Sequence, residues 1–551
     1  MPYRNARTGT PKLTADPGIV DDMVRQFADR HAFLRELVQN GIDAGATHID
    51  VRVERSPDGL VRTSVEDDGS GMTRKIIEGP LLTLFESSKE SDSTKIGKYG
   101  VGFVSVFATE PEHVEVRTRT TNETWFLKLF GDHSFELADG VRRPGTGTEV
   151  VVVATMDGDA FAVHAALART ALTRWCRHAR VPISFVVLDG DSSGEVTTVN
   201  VPLTLPGLVR VEAAADGETF VVAVGAVGAV DENGGSAASA LETEPTFAGF
   251  YNRGLTLMET TDVERGLDQV RFKIDSPRLS HTLSRDSVRR DDQSRRVIDR
   301  VRGIVEGSLW YTLRQRLLAA AENAATGDAA AYAALLEAAL VPAFAKKLPT
   351  IAAPLVDPIE GCCTMELRTL LSHGDPVLVS DESTPLSRAI AATGRPVLRG
   401  MQLAPLLRRV MAGGAIAAES AFAFATAAPA RDEDRALLGE LERLLRAAGR
   451  NLEIARLALF EGASADVACR VVRTSHDSVL SSPEDALERR WGGSATLFLN
   501  VGHATVRLAR RRAKSDVAVA AHLLCRSILL AEGALAAKVV DRLLHAAGPD
   551  E

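Results

Sequence analysis

The sequence predicts a multidomain α+β chain, and three observations carry that prediction. Its 551 residues exceed what one hydrophobic core organises, so about three or four domains are expected. The first third mixes periods: Leu34, Leu37, Val38 and Ile42 make a helical stripe, while Ile49 to Val53, Arg62 to Val65 and Val150 to Ala154 read as strands. Helical sequence rich in Ala and Leu then takes over from Trp310 to Leu340 and again beyond about residue 432.

Composition narrows the function classes. Lys and Arg total 64 against 73 Asp and Glu, a net charge of −9, so no global attraction for nucleic acid or anionic lipid is expected. Hydrophobic residues at 45% and charged residues at 25% are ordinary for soluble protein. Cysteines stand at 176, 362, 363, 469 and 525 without a CxxC pair, which argues against a disulfide framework and a zinc site. Met1 to Leu13 is polar and lacks the apolar centre of a signal peptide. No run approaches a membrane span, since Phe220 to Val230 is interrupted by Gly and reads as a strand. A cytoplasmic protein is the expectation.

The segment from Phe33 to Ala44 organises the chain. Glu36, Asn40 and Asp43 fall four and then three residues apart, on one helical face opposite the apolar stripe. An amide oxygen there suits a hydrated magnesium ion, and a carboxylate suits the poising of a water molecule. Taken alone, such a face is more often simply solvated.

Three further segments follow in order. Two strands flank a Pro57-Asp58-Gly59 turn and lead into Asp67-Asp68-Gly69-Ser70-Gly71-Met72. A carboxylate at that strand end can accept from an exocyclic amine such as adenine's, glycines let a flat ligand approach, and Met72 can cover the ring. A polar segment, Glu86 to Lys95, then enters Ile96-Gly97-Lys98-Tyr99-Gly100-Val101-Gly102-Phe103. Glycines before an apolar helix present backbone N–H groups to anions, and the polar segment has the character of a lid. Finally Gly145-Thr146-Gly147-Thr148 precedes a continuous apolar strand. Each piece by itself reads equally well as an ordinary turn.

In this order the segments resemble the GHKL ATPases, the superfamily of gyrase, heat-shock protein 90, sensor histidine kinases and MutL-type repair proteins. The resemblance covers roughly residues 20 to 155. Arg35 to Asn40 with Ile96 to Ser105 is most similar to the heat-shock-protein-90 chaperones, whereas Asp43-Ala-Gly-Ala-Thr-His-Ile-Asp-Val51 is similar to the MutL type. Further on, Phe247 to Met258 with Tyr251-Asn-Arg-Gly254 looks like the strand that opens the chaperones' middle domain. Val270 to Ser276 and Leu283 to Val288 resemble its later strand and catalytic loop, although Arg289 stands where the family usually has Gln. Met411 to Ala418 and Thr426 to Arg431 read as linkers. Leu497 to His503 and the helices through Leu544 look like a dimerising end, with Leu523 to Gly533 as its apolar interface helix.

The resemblance implies a GHKL (Bergerat) ATP-binding α/β sandwich over 1–190, an α/β middle domain over 191–415 and a mostly helical dimerisation domain over 416–551. It implies Mg-dependent ATP hydrolysis, with Glu36 and Arg285 catalytic and Asn40 holding Mg2+ against the phosphates. Asn40, Asp43, Asp67, Gly71, Met72, Lys95, Gly97, Gly100, Val101, Gly102, Phe103 and Thr148 would bind ATP or ADP. The implied protein is a compact bacterial-type, homodimeric chaperone clamp acting on protein clients, away from membranes and nucleic acid. Two alternatives stand beside it: a MutL- or MORC-like GHKL ATPase in a DNA-linked or defence role, and a nucleotide-sensing module with little turnover.

Overall fold

The computed structural model describes residues 7–9, 29–82, 101–132, 134–139, 143–190, 193–225, 246–280, 287–327, 329–372, 376–410, 413–473, 476–481, 491 and 495–547. The chain divides into two units, one of residues 1–224 with 243–309 and the other of 310–551 with 225–242. The mixture of helices and sheets agrees with the α+β expectation.

The first unit opens with β1 (Arg7–Gly9), α1 (Ala32–Asp43), β2 (Ile49–Arg55) and β3 (Leu60–Asp67). Then come α2 (Val101–Val104), β4 (His113–Arg119), β5 (Thr124–Phe130), β6 (Phe135–Asp139), β7 (Gly147–Thr155), α3 (Gly158–Cys176), β8 (Ile183–Asp189) and β9 (Thr197–Thr198). Their strands form one nine-stranded sheet in the order β1-β6-β5-β4-β7-β3-β2-β8-β9. Neighbours are antiparallel except β2 and β8.

Alternate residues of these strands face a single core, as expected of a sheet covered on one side. Val51, Val53, Val65, Val116 and Val152 meet Phe33, Leu34, Leu37 and Val38 of α1 and Phe161, Ala168 and Leu172 of α3 there. Asp157 caps α3 by accepting the Ala160 N–H at 2.8 Å. Gly45, in the left-handed region at φ +76°, ends α1. The β2–β3 hairpin is longer than its sequence pattern predicts, pairing Ile49 with Asp67 and Arg55 with Val61.

A five-stranded sheet completes this unit: β10 (Val209–Ala215), β11 (Glu218–Val224), β12 (Phe247–Asn252), β13 (Leu255–Thr260) and β14 (Arg271–Asp275), in the order β10-β11-β14-β12-β13. Helix α4 (Asp292–Ile304) follows, its N-terminus closed by a reciprocal Asp291–Ser294 capping box. The single strand expected from Phe247 to Met258 is a hairpin. Arg253 at φ 51° and Gly254 at φ 79° supply the mirror-image turn that matches strand twist.

In the second unit the helical stretch expected at 310–340 is two helices, α5 (Trp310–Ala324) and α6 (Ala330–Ala339). One sheet holds β15 (Ala352–Ile359), β16 (Cys362–Glu366), β17 (Val377–Ser380), β18 (Val397–Arg399) and β19 (Ala415–Ala417), with α7 (Pro385–Ala392) between β17 and β18 in the chain. The expected linker at 411–418 instead contributes β19, which pairs parallel with β17. The last third adds a sheet that its helical pattern does not announce: β20 (Ala423–Ala427), β21 (Ile454–Gly462), β22 (Cys469–Val472), β23 (Ser478–Ser481) and β24 (Thr496–Asn500). Against it lie α8 (Asp432–Ala447), α9 (Ala504–Ala513), α10 (Val517–Ala531) and α11 (Ala537–Ala547), whose core includes Leu441, Leu444, Leu497, Leu524 and Ile528.

Candidate functional site

Helix α1 buries Phe33, Leu34, Leu37 and Val38 and thereby fixes which side of it faces α2 and the end of β3. Glu36 is only 6% exposed, while Asn40 and Asp43 are exposed. Gly102 of α2 lies directly on the Glu36 carboxylate, so that a Cβ at that position would force the carboxylate to move. Ser105 donates to the Gly102 carbonyl at 2.5 Å and tightens this turn, and Phe103 is buried in the core beside it. One carboxylate is thus held against a glycine of the loop-to-helix junction.

Asp67 stands at the end of β3. Its Oδ1 accepts the Gly69 N–H at 2.9 Å, and its backbone pairs with Thr148 of β7. Burial pushes its pKa up from the ordinary carboxylate value, opposed by the N–H groups of Gly69 and Thr148 and by the Arg143 guanidinium. Gly41 of α1 sits over it, where a Cβ would come within 3.1 Å of the Asp67 Cβ. Gly71, at φ +68°, passes so near the Arg119 carbonyl that any side chain would overlap it. Met72 packs on the core from the same segment.

Two residues without a motif signal complete this end. Thr118 of β4, 1% exposed, accepts the Met72 N–H at 2.7 Å and pairs with the Thr148 hydroxyl at 3.0 Å. Arg143 donates to the Asp67 carbonyl at 2.6 Å and pairs with Glu66 at 3.2 Å. Both act from segments distant in sequence, so only strand pairing could find them.

The structure therefore brings Glu36, Asn40 and Asp43 onto one helix face, with Gly102 against Glu36 and Phe103 in the core beside it. Asp67, Gly71, Met72 and Thr148 gather at the adjoining strand end. Lys95, Gly97, Gly100 and Arg285 lie outside the described residues, and of Val101 only the backbone is described.

Residues 30–137 match the family described as histidine kinase-, DNA gyrase B- and HSP90-like ATPase. Over 193 residues the chain is 30% identical to the chaperone protein HtpG of Methylobacterium sp. (strain 4-46), covering 30% of this chain and 31% of that protein. Over this part of its length the chain is similar to HtpG. HtpG of Pseudoalteromonas translucida is 28% identical over 200 residues, 31% of each chain. HtpG of Porphyromonas gingivalis (strain W83) is 29% identical over 210 residues, 33% of this chain and 30% of that one. The chain thus matches about a third of the length of these curated relatives.

The residues of the HtpG-like domain fit a magnesium nucleotide. Gly71 and Gly102 let the Arg119 carbonyl and the Glu36 carboxylate pack closely at this end of the sheet, and Asn40 offers an exposed hard oxygen donor. Among the described residues no three His, Cys, Asp or Glu side chains gather as a metal cage.

Another former motif has a structural explanation. Asp68 accepts the Thr47 N–H at 2.6 Å, the Thr47 hydroxyl at 2.5 Å and the His48 N–H at 3.0 Å. These bonds tie Thr47 and His48, within the Asp43 to Val51 segment, to the end of β3. Among the described residues no helix is long and apolar enough to cross a membrane.

Proposed function

We propose that this chain binds and hydrolyses ATP with magnesium and works as a chaperone of the heat-shock-protein-90 type. The observation that carries this reading is the contact of Glu36 with Gly102, on a helix whose Gly41 packs against Asp67. A carboxylate beside the phosphate loop suits the activation of water, and a second, buried carboxylate suits acceptance of an exocyclic amine. In this reading Glu36 orients and deprotonates the attacking water and Asn40 holds the ion. When bound, Mg2+ neutralises phosphate charge. Asp67 reads adenine with Gly71, Met72 and Thr148 around it. Lys95, Gly97, Gly100, Val101, Gly102 and Phe103 line the phosphates, Asp43 supports the same face, and Arg285 reaches the γ-phosphate.

The wider assignment follows the same resemblance. The chain would divide into an ATP-binding domain at 1–190, a middle domain at 191–415 and a C-terminal domain at 416–551. It would act in the cytoplasm as a homodimeric, nucleotide-driven clamp on protein clients. Val519, Leu523 and Leu530 leave an apolar stripe on α10 that is 40%, 56% and 66% exposed, and Leu544 of α11 is 60% exposed. A second copy is the partner we assign to that stripe, because the inner face of the same helix is already filled by Leu524 and Ile528.

ATP turnover measured beside ATP affinity tests the reading. Tight binding without turnover would convert the enzyme into a nucleotide sensor, and salt-dependent DNA binding would favour the DNA-linked class. Arg285→Ala should leave affinity little changed and lower turnover by about tenfold to a thousandfold, as loss of a supplied arginine does.

A further inference from the structure

The tip of the β12–β13 hairpin is built into the nucleotide-binding half of its unit. Leu255, 3% exposed, belongs to the same core as α1 and the nine-stranded sheet. The Thr256 hydroxyl donates to the Arg174 carbonyl at 2.9 Å. Gly254 donates its N–H to Asp275 at 2.9 Å, while Arg180 bonds the same carboxylate at 2.8 and 3.1 Å. At φ +79°, Gly254 lies so close to the His178 carbonyl that no side chain fits. Arg177 pairs with Glu259, and Lys273 bonds His178 at 2.8 Å. These contacts fix the backbone from which Arg253 projects.

Arg253 itself is in the left-handed region, at φ 51°, and its guanidinium pairs with Asp43. Asp43 is the last residue of α1, three positions beyond Asn40 and seven beyond Glu36. We propose that Arg253 is a positioning residue, through which the five-stranded sheet holds the last turn of the nucleotide helix in register with the ATP site. This rests on the ATPase reading above. A displacement of the hairpin then moves the face carrying Asn40, and a shift of that face on nucleotide binding is felt at the hairpin. Arg253 and Asp43 side chains are 49% and 52% exposed, so the expected effect is modest.

The test uses the full chain with MgATP. Arg253→Glu should lower kcat about three- to fivefold, the scale of a half-exposed ion pair, with ATP affinity within about twofold of wild type. Arg253→Lys should recover most of the loss. Arg210→Ala, which removes an exposed pair with Glu212 elsewhere on the sheet, should change neither quantity. MgATP should also slow amide exchange at residues 253–256 in wild type and not in Arg253→Glu. A wild-type kcat in Arg253→Glu, or, in a chain that binds without turnover, unchanged exchange at the turn, overturns the positioning role alone. A wild-type chain that fails to bind ATP removes the ATP-site reading and this inference with it.

Discussion

Gly102 and Glu36 share one space: a Cβ on Gly102 would overlap Glu36 Oε2 and come within 3.3 Å of its Cδ. Relief would require the carboxylate, buried among the core residues of α1, to move. Gly102→Ala should therefore lower ATP turnover by about tenfold or more, and Glu36→Ala by about a hundredfold, as loss of a general base does. Combining them should cost little beyond Glu36→Ala alone, since both act on the same group. Steady-state kinetics of the two single variants and the double variant decide this. Additive losses would show that the contact has no catalytic meaning.

Asp67 sets function against stability. Its folded-state pKa lies above the ordinary value because burial disfavours the charge. The native state then holds the extra proton between the two values, so the group stabilises the fold below the ordinary pKa and loses that contribution as pH rises through the folded value. At neutral pH the ion is a burden on the apo protein. Asp67→Asn, which keeps an acceptor for Gly69, should raise the thermal midpoint at pH 7 and weaken ATP binding by about a hundredfold or more. Calorimetry on one preparation measures both.

A second titration lies behind α1. His31, 7% exposed, bonds His164 at 3.1 Å, and the other ring nitrogen of His164 meets the Thr63 hydroxyl at 2.8 Å. Burial lowers both pKa values, that of His164 to about 4, while Asp29 opposes the shift at His31. The unfolded chain binds more protons than the native one between about 4 and the ordinary histidine value of about 6.5, so stability falls as pH drops through that window. A loss on the order of 1–3 kcal/mol is expected from pH 7 to about 4.5 for the wild type. His164→Gln should flatten the decline. Urea unfolding at several pH values, followed by tryptophan fluorescence, checks it.

The exposed stripe of α10 predicts an association behaviour. Leu523→Glu with Leu530→Glu should shift the chain to monomer while leaving ATP affinity unchanged, because both side chains point away from the core of their unit. Light scattering over a range of concentrations reads this. Substitution is a sounder probe than truncation near residue 430, since a cut there strips β20 of its partners β21 and β23. An unchanged dimer would place the contact elsewhere or remove it.

Much of the candidate site is legible in the sequence, because its signals are local. Three polar residues at helical spacing share a face whatever packs beside them, and glycine clusters mark close backbone approach. The same locality misled at 247–258 and 411–418. A β-rich run does not reveal that Arg253 and Gly254 reverse it, and a Gly- and Ala-rich stretch looks like a linker although it adds β19 to a sheet. The strands of the last third were masked by a helical neighbourhood rich in Leu and Ala.

The sequence alone determined the order of the four segments, the stripe that buries α1, and hence the identity of Glu36, Asn40, Asp67 and Gly102 as candidates. Tertiary structure alone decided that Thr118 bridges Met72 to Thr148, that Arg143 lies on the Asp67 carbonyl, and that Arg253 meets Asp43. The reason is distance along the chain. Arg253 and Asp43 are 210 residues apart, and no periodicity spans that interval. Only the register of paired strands and a shared core bring such groups together, and those are properties of the folded chain.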